Sequence, residues 1–221
     1  MKKMKQLILL VTISLLITSC NSQTDLETMK YNQDITEYID DSFSEDNNII
    51  TGQKAYISED VQKFKYGSTK FNNYTHTDDL IKDSNSLSFF VDSYDKNKYL
   101  GFQLDIWEIE KSNELLNYLM QKYGKPLKKY EYKGKGDYLD KKYLWESVST
   151  DEIVFVNIHN ENRINSSTKQ KYISSQSEFI IIKRGLILKP SEENNPENIK
   201  KLLEENPNAF NILEILKKYF Y

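Results

Sequence analysis

The stretch from Leu87 to Pro126 restricts the possible folds more than any other. Leu87, Phe89 and Val91 alternate with Ser88, Phe90 and Asp92, the period of a half-buried strand. Asp95-Lys96-Asn97-Lys98 supplies turn residues. Beyond the turn Leu100, Phe102, Leu104 and Ile106 point one way, and Tyr99, Gly101, Gln103 and Asp105 the other. A helix follows, with Leu115, Leu116, Leu119, Met120 and Tyr123 on one stripe and Gly124 and Pro126 as its stop. That stripe can be buried only against the apolar face of the hairpin, so this unit predicts an antiparallel sheet with a helix laid on it.

The rest of the chain extends the same plan. Tyr143–Val148 and Glu152–His159 predict a second hairpin, and Glu178–Lys183 a further strand beside it. The runs Ile153–Val156 and Phe179–Ile182 are apolar at every position, which places them mid-sheet with both faces covered. Leu186–Leu188 would continue that pairing, and Asn160–Gln170 reads as a polar connection. Asn195-Pro196 and Asn206-Pro207 each put a capping side chain before a proline. They predict two terminal helices, one burying Ile199, Leu202 and Leu203, the other Ala209, Ile212, Leu213, Leu216 and Phe220. Between Tyr31 and Phe43, Tyr31, Ile35, Tyr38 and Ile39 fall at helical spacing, as for a short helix docked on the main body. Ala55–Ile57 suits a short strand, and His76–Asp79 a polar loop. The fold class is α+β: an antiparallel sheet of hairpins, a helix packed on one face, and two C-terminal helices.

One cysteine among 221 residues leaves no internal disulfide, so the fold must stand on its core. A net charge of −3 gives no global field toward nucleic acid. Sixteen Tyr and ten Phe against two Trp, with abundant Asn, Lys and Ile, match the codon bias of an AT-rich genome, which weakens any reading of Tyr/Lys clusters as binding surfaces.

The first 20 residues locate the protein. Lys2, Lys3 and Lys5 precede an apolar run from Leu7 to Ile17 that is broken only by Thr12 and Ser14. The run is well short of the roughly 20 residues that span a bilayer, and has the layout of a signal peptide. Ile17-Thr18-Ser19-Cys20 resembles the lipobox of bacterial lipoproteins, in which the cysteine is acylated and becomes the first mature residue. The resemblance covers residues 1–20 only. It implies a lipid on Cys20, membrane attachment through it, and residence in the cell envelope, at the outer membrane or cell surface. The bland alternative is a lone cysteine after an ordinary secretory signal, an exposed thiol in an oxidising compartment. Asp25 and Glu27 loosely resemble the acidic export signal of Bacteroidota lipoproteins, and fit a solvated linker better. The expected organisation is a signal peptide over 1–19, a lipidated cysteine and flexible acidic tether over 20–48, and one α+β domain over 49–221.

Chemistry is sparse. With Cys20 committed to lipid and only His76 and His159 present, nucleophilic-cysteine, Ser-His-Asp and His-based metal sites lack their parts. His76 with Asp78 and Asp79 is the sole metal-like grouping, and it reads rather as a surface turn. No catalytic, cofactor or metal residue is assigned. Asp105 with Glu108, or Glu146 with Glu152, are conceivable glycosidase pairs. Lys125–Lys142, a long loop or ragged hairpin, interleaves lysines with Tyr130, Tyr132 and Tyr138. Aromatic and basic residues are favoured at interfaces, so the expected partner surface is Lys128, Lys129, Tyr130, Tyr132, Lys133, Lys135 and the neighbouring Trp145. Trp107 reads as a core residue. The expectation is a non-enzymatic binding module for a protein partner, such as an envelope toxin or assembly component, with a carboxylate hydrolase or glycan binder as the alternative. Nucleic acid is not expected.

Overall fold

The structure, a computed structural model, describes residues 23–47, 54–78, 81–92, 97–135, 138–188 and 195–221. Residues 1–22, including the expected signal peptide and Cys20, lie outside it. So do Asp79 of the metal-like grouping and Asp95 and Lys96 of the expected turn.

Among the described residues the protein is mostly antiparallel sheet with three α-helices. Strands β1 (Thr24–Asp25), β2 (Ser44–Asn47), β3 (Lys54–Ser58), β4 (Phe64–Tyr66), β5 (Thr69–Lys70), β6 (Thr75–Asp78) and β7 (Ile81–Ser84) precede β8 (Ser86–Val91) and β9 (Tyr99–Ile106). Helix α1 (Ile109–Tyr123) follows, then β10 (Lys128–Lys133), β11 (Leu139–Ser147), β12 (Glu152–Ile164) and β13 (Lys171–Lys183), then α2 (Pro196–Glu205) and α3 (Ile212–Lys218). The main sheet has eight strands in the order β10-β11-β12-β13-β9-β8-β3-β2, with every neighbouring pair antiparallel. The β8–β9 and β11–β12 hairpins, and β13 beside them, stand as the alternation predicts.

Side-chain alternation divides the core into two layers. On the front face Phe102, Leu104, Ile106, Val154, Val156, Phe179 and Ile181 meet Leu115, Leu116 and Leu119 of α1. On the back face Leu144, Ile153, Phe155, Ile180 and Ile182 meet Leu188 and the Ile212 and Leu216 side chains of α3. This double coverage explains the continuous apolar runs of β12 and β13. Two glycines are required where they stand. Gly124 closes α1 at φ 67, its N–H on the Met120 carbonyl. A Cβ on Gly101 would lie 2.3 Å from the Ile181 carbonyl oxygen.

Several expectations need correction. The start of β9 breaks its own alternation: Tyr99 joins the front layer and Leu100 the back, where the β8–β9 register shifts at Phe90/Val91. The segment expected to be a tether packs into the front layer: Leu26, Met29 and Ile35 are buried there, and β1 pairs parallel to β4. Its acids have structural partners. Asp25 caps a 3-10 turn, binds Lys65 at 2.7 Å and accepts the Gly67 N–H, while Glu27 takes the Tyr118 hydroxyl and lies 3.1 Å from Lys122. Average polarity concealed the few apolar residues that anchor this segment. The helix expected over Tyr31–Phe43 is one 3-10 turn, Thr36–Tyr38. Asn32 at φ 64 precedes it, and Asp40 turns the chain after it by accepting the Ser42 N–H.

The Lys125–Lys142 region is a regular hairpin of β10 and β11. Asn160–Gln170 is no simple connection, because β12 and β13 stay paired as far as Ile164 and Lys171, leaving a turn built on Asn165. Polar residues on both faces hide the strand period there, and backbone pairing holds it. Of the loop expected at His76–Asp79, His76–Asp78 belong to β6 and pair with β7. Leu186–Leu188 contributes a single bridge, Ile187 to Asn211, rather than a strand. Asn195 caps α2 as expected, but Ile199, Leu202 and Leu203 are not buried. The final helix starts at Ile212 under an Asn211 cap, with Ala209 buried just ahead of it. Asn206-Pro207 instead ends α2, the Asn206 N–H resting on the Leu202 carbonyl.

Candidate functional site

The outer halves of β12 and β13 reach past the core and help to form an open cleft of about 930 Å³ on the front face. One wall is the start of α1, with Trp107, Glu108 and Glu110, joined by Tyr74; the other is the β10–β11 hairpin, with Glu131, Tyr132, Lys133, Tyr138 and Lys141. Asn160, Ile173 and Ser175 lie between them, where the Ser175 hydroxyl donates to Asn160 Oδ1 at 2.7 Å. Tyr132 and Ile173 are about half exposed.

Local bonds hold the walls in place. Asn85 is buried and works in two directions: its Oδ1 accepts the Trp107 N–H at 2.8 Å and its Nδ2 donates to Glu108 at 3.0 Å. Asn72 donates to the other Glu108 oxygen at 3.1 Å. The Arg163 guanidinium lies 5.6 Å from the Trp107 ring and is paired with buried Asp83 at 2.9 Å. Opposite, Glu131 accepts the Tyr143 hydroxyl and meets Lys129 at 2.9 Å. The Tyr143 bond, aided by Lys129, holds the Glu131 carboxyl below the usual carboxylate range.

The expected partner surface does not survive as one patch. Trp145 is 2% exposed. It pairs with Val154 in the front core, stacks on Tyr143, and donates its Nε1–H to the Gly124 carbonyl at 2.9 Å. The side chains of β10 alternate across the sheet edge. Lys128 bonds the Tyr221 hydroxyl at 2.6 Å, and Lys129 is paired with Glu131. Tyr130 is exposed with the Lys142 ammonium 5.5 Å from its ring, and Lys135 is exposed at the hairpin turn. Only Tyr132 and Lys133 of the group line the cleft. Sequence reasoning missed Trp107, Tyr74 and Glu108 as cleft residues. The available signal was Trp107 standing off the apolar parity of β9.

The conceivable carboxylate pairs also separate. Strand parity places Glu146 and Glu152 on opposite faces, Glu146 near Arg184 and Glu152 accepting the Tyr123 hydroxyl at 2.6 Å. Asp105 is on the back face, directly across from Glu178 in β13, while Glu108 belongs to the cleft. Burial drives the Asp105 pKa up to about 6, hydrogen bonds from Gln103 and Ser86 work against the rise, and Glu178 adds to it. Among the described residues no group of three or more His, Cys, Asp or Glu is placed to hold a metal ion, and no helix is long and apolar enough to cross a membrane.

The chain matches no protein-family model, none of the curated proteins and none of the solved structures with which it was compared.

Proposed function

We propose that the protein is a lipid-anchored cell-envelope binding module that holds a segment of a protein partner in the front-face cleft, with membrane attachment through an acylated Cys20. The observation that carries this reading is the lining of the cleft. Trp107, Tyr74, Tyr132 and Tyr138 offer broad aromatic surface, with Glu108 and Glu110 on one wall and Lys133 and Lys141 on the other. Aromatic anchors within a polar rim are what interfaces use. The placement in the envelope rests on Ile17-Thr18-Ser19-Cys20.

The cleft also holds three carboxylates, Glu108, Glu110 and Glu131, which keeps the hydrolase reading in view. A glycosidase needs one acid with a raised pKa. Glu131 is held in the opposite direction, and Glu108 is gripped by two amide side chains. The raised carboxyl, Asp105, does not line the cleft.

The test compares the native protein with Tyr132→Ala and Ile173→Asp, both at exposed positions, in pull-downs from envelope extract. One stoichiometric partner retained by the native chain and lost by both variants is expected. Equal retention by all three would remove the cleft from the proposal. Turnover of a glycoside that Glu108→Gln abolishes would replace binding by catalysis.

A further inference from the structure

The packed body of the protein begins close to Cys20. Gln23 donates from Nε2 to the Gln62 carbonyl at 2.8 Å and to the Phe71 carbonyl at 3.4 Å, and Thr24 is already paired with Phe64. Only Asn21 and Ser22 separate Gln23 from Cys20. Three residue steps of extended chain span roughly 10 Å. A lipid on Cys20 therefore cannot act as the end of a long leash.

The surface around Gln23 suits contact with lipid headgroups. Gln62, Lys63, Lys70, Asn72 and Asn73 are all exposed and all polar, so none would enter the hydrocarbon. Two nearby cations are already neutralised: Lys63 by Asp40 and Asp60, each at 2.7 Å, and Lys65 by Asp25 at 2.7 Å. Lys70 alone of the rim cations has no ion-pair partner among the described residues. One cation is worth only about 1 kcal/mol at an anionic leaflet, so such a rim tolerates a headgroup layer without depending chiefly on anionic lipid. The small β1–β4–β5 sheet that carries it belongs to the front layer, whereas α3 covers the back of the main sheet.

We infer that the lipid on Cys20 seats the domain in one orientation, with the Gln62–Asn73 rim against the phospholipid headgroups and the α3 side away from them. This rests on the lipidation proposed above. It also sets where the cleft lies. Gln23 is bonded to Phe71, and the adjoining Asn72 is bonded to Glu108 of the cleft wall. A partner would be met next to the membrane surface.

Acylation of Cys20 occupies the sole natural thiol, so an introduced cysteine can be labelled alone. The full chain, expressed in bacteria and recovered in lipidated form, would carry a fluorophore at Gln62→Cys or, on α3, at exposed Lys218→Cys. It would be reconstituted into phosphatidylcholine vesicles bearing a short-range quencher on the headgroups. Quenching should be several-fold stronger at 62 than at 218, since the two layers on either side of the sheet separate them by roughly 20 Å. A Gly/Ser insert of about 20 residues after Asn21, with a root-mean-square span of roughly 25 Å, should abolish the difference without releasing the protein. Equal quenching at both positions in the native-length chain would overturn the inference. So would a difference that survives the insert, or one that needs phosphatidylglycerol in the vesicles. Mass spectrometry of the N-terminal peptide separates the two levels: an acylated Cys20 with equal quenching removes only the orientation, and an unmodified Cys20 removes the lipidation reading as well.

Discussion

Asp105→Asn should make the protein more stable at neutral pH and less stable in acid. Asp105 faces Glu178 across β9 and β13, with Ser86 Oγ donating to Oδ2 at 3.1 Å and Gln103 Nε2 to Oδ1 at 3.0 Å. Its pKa rises from an ordinary 3.8 to about 6, chiefly because the carboxylate is buried. Each decade of proton affinity is worth 1.36 kcal/mol, so ionised Asp105 costs about 3 kcal/mol in the native state. The sign follows from proton binding. Below 3.8 both states hold the proton; between about 4 and 6 the native state keeps a proton that the unfolded chain gives up, so stability falls as pH rises through this window, and above it the full cost remains. Asparagine carries no charge at any pH, but its single oxygen retains only one of the two donors, a loss of roughly 1 kcal/mol. The variant should therefore exceed the native protein by on the order of 2 kcal/mol at pH 7.5 and trail it by about 0.5 kcal/mol at pH 4, the full deficit of about 1 kcal/mol appearing only below about pH 3. Equilibrium urea unfolding of both proteins across that range measures the difference. Asp25, Asp60 and Glu161, whose pKa values are lowered, act at more acid pH and cancel in the comparison. A gap between the two proteins that stays constant with pH would refute the argument.

Two further predictions concern packing. Leu119, fully buried between α1 and the front of the sheet, should cost about 2–5 kcal/mol on replacement by Ala in the same urea assay, and a cost under about 1 would mean that the helix is not seated there. Gly101→Ala should cost on the order of 3 kcal/mol or prevent folding, read by circular dichroism, because the added methyl meets the Ile181 carbonyl and the backbone holds φ 144. A native-like thermal transition in Gly101→Ala would count against the β9–β13 register.

What the sequence revealed of this fold follows from how its residues are buried. Where one face of an element is apolar, as in most of β9 or in α1, the period is written in the residues and the element was legible with its partner. Where both faces are buried, as in Ile153–Val156, the run still signalled a central strand. The outer ends of β12 and β13 gave no such sign. Asn160, Asn162, Ser174 and Ser175 are held by ladder hydrogen bonds between two long strands, and those bonds leave no mark in side-chain chemistry. The N-terminal segment failed for a different reason. Burying Leu26 and Met29 takes only two apolar residues among many polar ones, too few to shift an average. Ile35, on the spacing of Tyr31, Tyr38 and Ile39, docks on the core as that spacing suggests.

The site was less legible than the fold because a cleft depends on where elements stop. Trp145 and Trp107 show this. Each is a tryptophan at a strand, and composition gives no ground for preferring either as a surface residue. Trp145 falls on the parity of Val154 and enters the core. Trp107 comes one residue after the last pairing of β9, where Asn85 fixes its backbone and Arg163 lies against its ring. Neither Asn85 nor Arg163 is close to it in sequence, and no local pattern links the three. The lysines of β10 carry the converse lesson. Side by side in the chain they suggest one basic patch, yet a strand sends neighbours to opposite faces, and Lys128 and Lys129 meet Tyr221 and Glu131 respectively. Charge density along a sequence becomes charge density on a surface only when the intervening structure is a loop, and this stretch is a hairpin.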